Sequence, residues 1–140
     1  MKTLYALAVI LAFTFNCSCS GQSERISEKE TVSQADDIAV YYFHYTKRCV
    51  TCNAVEDETK MVIETFYGDE MKEGKIEFKS VNLDEYDGKN LAKSLRVSGQ
   101  TLLIVKGKKK VDLTSQGFMN ARTNPEKFHN VLQNNFDKLL

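Results

Sequence analysis

The sequence predicts an α/β domain whose four-stranded mixed sheet is flanked by helices, in the order β-α-β-α-β-β-α. Three observations carry this reading. A run of β-branched and aromatic residues, Ile38 to Tyr45 (IAVYYFHY), is followed by a helical pattern. Thr101 to Val105 (TLLIV) is continuously apolar, the mark of a strand covered on both faces. Phe128, Val131, Leu132, Phe136 and Leu139 form one apolar stripe at helical spacing.

Each element follows in order. After the first strand, Val55, Met61, Val62 and Phe66 recur at near-helical intervals between acids and lysines, and Gly68 is the expected stop. Lys75 to Leu83 (KIEFKSVNL) alternates, with Ile76, Phe78, Val81 and Leu83 expected inside. Asp84 to Val97 reads as a short helix with Leu91 and Leu95 on one face and Asp84 as its cap. Lys106-Gly107-Lys108 is a turn between the apolar strand and a returning strand, Lys109 to Leu113, with Gly107 supplying a positive φ and Gly99 expected to do likewise. Thr123 and Glu126 are spaced as a capping box with Pro125 in the first turn of the last helix. The first two αβ crossovers imply parallel strands, and the hairpin adds an antiparallel one.

The chain has 140 residues, and residues 1–19 read as an export signal rather than as part of this domain. Lys2 precedes twelve uncharged, mostly apolar residues from Leu4 to Phe15, too few to span a bilayer, which takes about 20. Cys17 and Cys19 follow at once. A cysteine in this place resembles a bacterial lipoprotein signal, which implies lipidation at Cys19, where the preceding Ser18 is small, with Cys17 as the alternative. A plain secretory peptide also fits. Residues 20–36 are polar and read as a flexible linker, leaving residues 37–140 as the domain. Export places that domain in a periplasm or cell envelope, where disulfides are permitted.

Charge excludes some functions. Lysine plus arginine and aspartate plus glutamate balance at 19 each, and residues 1–19 hold only Lys2 among them. A near-neutral domain lacks the basic surface that nucleic acid demands. The lysines at 106 and 108–110 read as a solvated hairpin. Neither a phosphate-cradling glycine motif nor a Ser/His/Asp set stands out, so nucleotide and hydrolase chemistry are unsupported.

Chemistry concentrates at Cys49-Val50-Thr51-Cys52, between the first strand and the first helix. That spacing at a helix start puts both sulfurs on one face. The positive end of the helix favours a thiolate, and Lys47, Arg48 and His44 are candidates to lower the thiol pKa further. Cys49 is the expected nucleophile and Cys52 the resolving thiol. Two alternatives use the same residues. One is a soft-metal or metalloid site of Cys49, Cys52 and His44. The other is an interaction subunit of a larger reductase, in which the thiols are inert.

The strand–CxxC–helix start, the element order and Val97-Ser98-Gly99-Gln100-Thr101-Leu102 together resemble the thioredoxin superfamily over residues 36–140. The chain is also similar to a small group of exported bacterial thioredoxin-like proteins described as subunits of a nitroaromatic reductase. The resemblance implies a thiol–disulfide oxidoreductase with no bound cofactor. It further implies a monomer that exchanges electrons with exported thiol proteins and a membrane electron relay. It makes Gly99, Gln100 and Thr101 the substrate loop. Gln100 stands where thioredoxins carry a cis-proline, and a trans bond is expected there, because a cis bond before a non-proline residue costs about 2.5–4 kcal/mol. Val50-Thr51 matches neither the reducing nor the oxidising dipeptides of the family. The first strand lacks the family's buried acid, for which His44, Glu56 or water is the substitute.

Overall fold

The computed structural model describes residues 36–140. The export segment at 1–19, with Cys17 and Cys19, and nearly all of the linker lie outside the described residues. Among the described residues, no helix is long and apolar enough to cross a membrane.

The elements are β1 (Ile38–His44), α1 (Val50–Phe66), α2 (Gly68–Lys72), β2 (Ile76–Asn82), α3 (Tyr86–Leu95), β3 (Thr101–Lys106), β4 (Lys109–Asp112), α4 (Thr114–Asn120) and α5 (Pro125–Asp137). The sheet order is β2-β1-β3-β4. β1 pairs in parallel with β2 (Ile38 with Ile76, His44 with Asn82) and antiparallel with β3 (Ile38 with Lys106, Phe43 with Thr101). β3 and β4 form the expected hairpin, and Gly107 has a φ of 54°. The domain is therefore an α/β fold with a mixed four-stranded sheet flanked by helices.

One crossover differs from expectation. β3 runs antiparallel to β1, although an αβ crossover precedes it. Its first residue, Thr101, pairs with Phe43 at the C-terminal end of β1. The ten residues of α3, about 15 Å long, and the loop after it thus return the chain to the end of the sheet that β2 left. Arg96 makes the return in a left-handed conformation with a φ of 58°, so Gly99 has no need of a positive φ and has none. The consequence is spatial: the loop before β3 and the loop after β1 emerge at one end of the sheet.

The main core joins β1 and β3 to the helices. Ile38, Val40, Tyr42, Leu102 and Ile104 pack with Val55, Val62 and Ile63 of α1 and with Phe128, Leu132 and Phe136 of α5. A smaller cluster of Phe43, Val81, Leu83 and Ala92 seats α3, with Leu91 and Leu95 packed at its margin. Within α1, Met61 and Phe66 are exposed instead of buried. Met61 falls six residues after Val55, about 240° round the helix and on its far side. Phe66 ends the helix, and Tyr67 turns inward in its place, its ring 5.1 Å from that of Phe136.

Several caps also differ. Gly68 opens α2 rather than simply closing α1. Asp84 does not cap α3, whose N-cap is Glu85 without a side-chain bond. Asn124, not Thr123, caps α5 by accepting from the Lys127 amide, while the Thr123 hydroxyl donates to the Met119 carbonyl and closes α4. Asn124 sits directly before Pro125, which already fills the first helical position.

The seat of α3 makes a test. A Cβ at Gly88 would lie 1.9 Å from the Asn82 carbonyl oxygen, in backbone that cannot yield cheaply. Gly88→Ala is expected to destabilise the domain by at least about 2–3 kcal/mol in urea unfolding. Gly68→Ala, which meets nothing within 4 Å, is the control and should be neutral or stabilising by up to about 1 kcal/mol.

Candidate functional site

β1 ends at His44, and the next five residues carry the chain to α1. This loop is tied to the end of β2. The Thr46 amide donates to Asp84 Oδ2 at 2.8 Å, and Asn82 Nδ2 donates to Thr46 Oγ1 at 3.0 Å. The Thr46 bonds hold the Asp84 carboxyl below its ordinary range. So anchored, the loop delivers Cys49 to the N-cap of α1 in an extended conformation.

The two cysteines occupy different environments. Cys49 is exposed, Cys52 is 3% exposed, and both are free thiols. Cys49 Sγ accepts a hydrogen bond from the Cys52 amide at 3.2 Å, the bond by which a serine or aspartate would cap a helix. The Cys49 thiol is held below its ordinary pKa. The Cys52 side chain contributes most to this, followed by the Cys52 and Thr51 amides at the helix start. A thiolate there meets donors and the positive end of the helix, which favour the reactive form.

The basic residues upstream act elsewhere than expected. Arg48 pairs with Glu56. Its guanidinium lies 5.7 Å from the centre of the Tyr42 ring. Glu56 also pairs with Lys60 at 2.6 Å, one turn on. Lys47 is exposed. His44 bonds with Ser80 Oγ and the Tyr45 carbonyl, each at 3.0 Å. His44 does not join the sulfurs: among the described residues, no three His, Cys, Asp or Glu side chains gather to hold a metal ion.

Glu56 is the buried acid near the pair, one helical turn beyond Cys52. Burial pushes its carboxyl up, but hydrogen bonds from Lys60, Arg48 and Ser80 outweigh this and hold it below the ordinary range. A carboxylate so held is a poor proton acceptor at neutral pH, and its role is to anchor Arg48, the residue before Cys49. Tyr42 of β1 is the second anchor. Its hydroxyl donates to the Cys52 carbonyl at 2.9 Å, tying the first turn of α1 to the core of the sheet. Burial pushes the Tyr42 phenol far up, so it stays protonated to make that bond.

The antiparallel course of β3 brings the 97–101 segment to the same place. The Gln100 amide lies against Cys52, with Nε2 at 3.6 Å and Oε1 at 4.0 Å from Sγ. There is no cis peptide bond among the described residues, so the bond before Gln100 is trans. Thr101 Oγ1 donates to the Gly99 carbonyl at 3.0 Å and holds the turn. Two open hollows, about 500 and 390 Å³, flank this loop and share Val97 and Ser98. Tyr45 lines the smaller and Arg96 the larger.

The ion network makes an acid-sensitive support. With its folded pKa below the unfolded value, Glu56 contributes stability that is present above about pH 4.3 and lost as pH falls through the folded value. Glu56→Gln should cost roughly 2 kcal/mol at pH 7, less than the ~3–5 of a fully buried pair because Arg48 and Lys60 keep contact with water. The variant should also lose part of the parent's decline below about pH 4, as urea unfolding across pH would record.

No family model matches the chain, and no curated protein does. Among solved structures, the chain is similar to one described as "Structure of a malarial protein", at 23% identity and a TM-score of 0.41. The alignment covers 61% of this chain and 92% of that one.

Proposed function

We propose that this chain is a thioredoxin-fold thiol–disulfide oxidoreductase that exchanges electrons with protein thiols through Cys49 and Cys52. The observation that carries the reading is the asymmetry of the pair. An exposed thiol with lowered pKa caps a helix, and a buried thiol waits one turn deeper. That is the arrangement in which one sulfur attacks and the other resolves. The mixed sheet with its central β1, and a helix that opens on the cysteines, support the fold assignment. In the same reading the protein is exported, anchored through lipid at Cys19, and served by a membrane electron relay. Its targets are other exported thiol proteins.

The reaction needs nothing but sulfur. The Cys49 thiolate attacks a partner disulfide, forming a mixed disulfide and releasing one partner sulfur as a thiolate. Cys52 gives up its proton and attacks Cys49 Sγ, which frees the second partner sulfur. The protein's dithiol is oxidised by two electrons and the partner disulfide is reduced. Run backwards, the same steps oxidise a partner dithiol.

Two measurements test this. Cys52→Ser, expressed in the native host, should accumulate mixed disulfides on non-reducing gels that disappear in the Cys49→Ser, Cys52→Ser double variant. Absence of any Cys49-dependent adduct would remove the redox reading. The second is the reduction potential of the Cys49–Cys52 pair, by equilibrating the soluble domain with glutathione. It should fall between about −120 and −270 mV, the span of catalytic dithiols, whereas a value below about −300 mV would mark a structural disulfide.

A further inference from the structure

We propose that Gln100 is a positioning residue for the resolving step, its side-chain amide holding the Cys52 sulfur ready to attack the mixed disulfide on Cys49. This inference rests on the dithiol reading above.

Cys52 must react from a place that water hardly reaches, at 3% exposure. Its sulfur has one side-chain amide against it, and both polar atoms of that amide are within reach. The two atoms serve opposite states. While Cys49 is a thiolate the Cys52 S–H serves it; once Cys49 is taken up in the mixed disulfide, the S–H donates to Oε1, and a thiolate accepts from Nε2. A buried charge without a partner is costly, so the donor matters most when Cys52 has lost its proton. Among the described residues, Gln100 is the side chain whose amide bonds this sulfur, and the neighbouring polar groups are engaged elsewhere. Tyr42 spends its hydroxyl on the Cys52 carbonyl, Glu56 is held by Arg48 and Lys60, and the Cys52 amide faces Cys49.

Gln100 is also well held. It precedes β3 directly, and Thr101 is fixed by its pairing with Phe43 and by the bond from its hydroxyl to the Gly99 carbonyl. The amide thus approaches Cys52 from a strand that is independent of α1. In the resolving step the Cys52 proton leaves to solvent, and the thiolate formed is met by Nε2. A bond then forms between Cys52 Sγ and Cys49 Sγ as the bond from Cys49 to the partner sulfur breaks. The electron pair leaves with the partner, and the Gln100 bond to Cys52 is no longer charge-assisted once the disulfide exists.

The two steps are separable with the protein and a small neutral disulfide, bis(2-hydroxyethyl) disulfide. Stopped-flow or quenched mass spectrometry follows capture by Cys49, which expels one mercaptoethanol, and then release of the second by Cys52. Gln100→Met keeps the length and volume of the side chain and removes both polar atoms. Gln100→Glu keeps the shape and replaces the donor with a carboxylate. In both variants the ratio of release rate to capture rate should fall by about tenfold, the worth of one hydrogen bond to a charged sulfur. A side chain that only filled space would leave this ratio at the parent value in both, and that result overturns the role of Gln100. A parent that captures but never releases overturns the dithiol reading itself, and with it this role. Unfolding midpoints of the variants identify one that has failed to fold, in which case the other decides.

Discussion

β1 is the strand on which everything else is hung. It is paired along both edges, with β2 in parallel and β3 antiparallel, and most of its side chains are buried. A strand in that position satisfies its backbone groups only by fixing the register of both neighbours. The register of β1 against β2 sets Asn82 beside His44, which places the tie between the 45–48 loop and the 82–84 turn. The register of β1 against β3 sets Thr101 beside Phe43, which places Gln100. The cysteines and the amide that meets Cys52 are therefore positioned by one strand from its two sides.

Around the helix start, polar groups act as supports more than as reagents. Arg48, Glu56 and Lys60 form a chain of ion pairs along the first turns of α1, and Arg48 rests over Tyr42. Burial of Glu56 is tolerable because two cations compensate it; removal of either partner exposes that cost. Beneath them, Tyr42 holds the Cys52 carbonyl. At the far side, His129 and Glu58 approach to 2.6 Å and join α5 to α1. The exposed thiol thus stands on a helix secured from the sheet, from its own flank and from the last helix.

Much of this fold was legible because burial writes strong patterns. Leu102-Leu103-Ile104 could only be an inner strand, and the Phe128, Leu132, Phe136 stripe could only be a helix against a core. What stayed hidden depended on relations between distant residues. α4 is short and carries Gly117, which suits a close approach to Val55 and Phe128 and weakens any helical signal. Asp112, which accepts from the Thr114 amide, was the available clue to its start. The direction of β3 turned on how α3 and Arg96 bend the chain, which composition does not record. At the site, the cysteine pair and the odd glutamine were visible as residues. Their contact was not, since it follows from that direction. Arg48 read as a partner of the thiol because it is adjacent in sequence, yet Glu56, eight residues away, outbids it for the charge.

The bond from the Tyr42 hydroxyl to the Cys52 carbonyl has an optical side. The chain has no tryptophan, so tyrosine dominates its emission. Tyr42 is fully buried, and its phenol is bonded to the backbone of one of the two cysteines. Any rearrangement of that helical turn as the sulfurs join or part alters the surroundings of a chromophore already built into the sheet. If the two sulfurs exchange electrons as proposed, this phenol, one of six in the chain, would report their state with no label and no added dye.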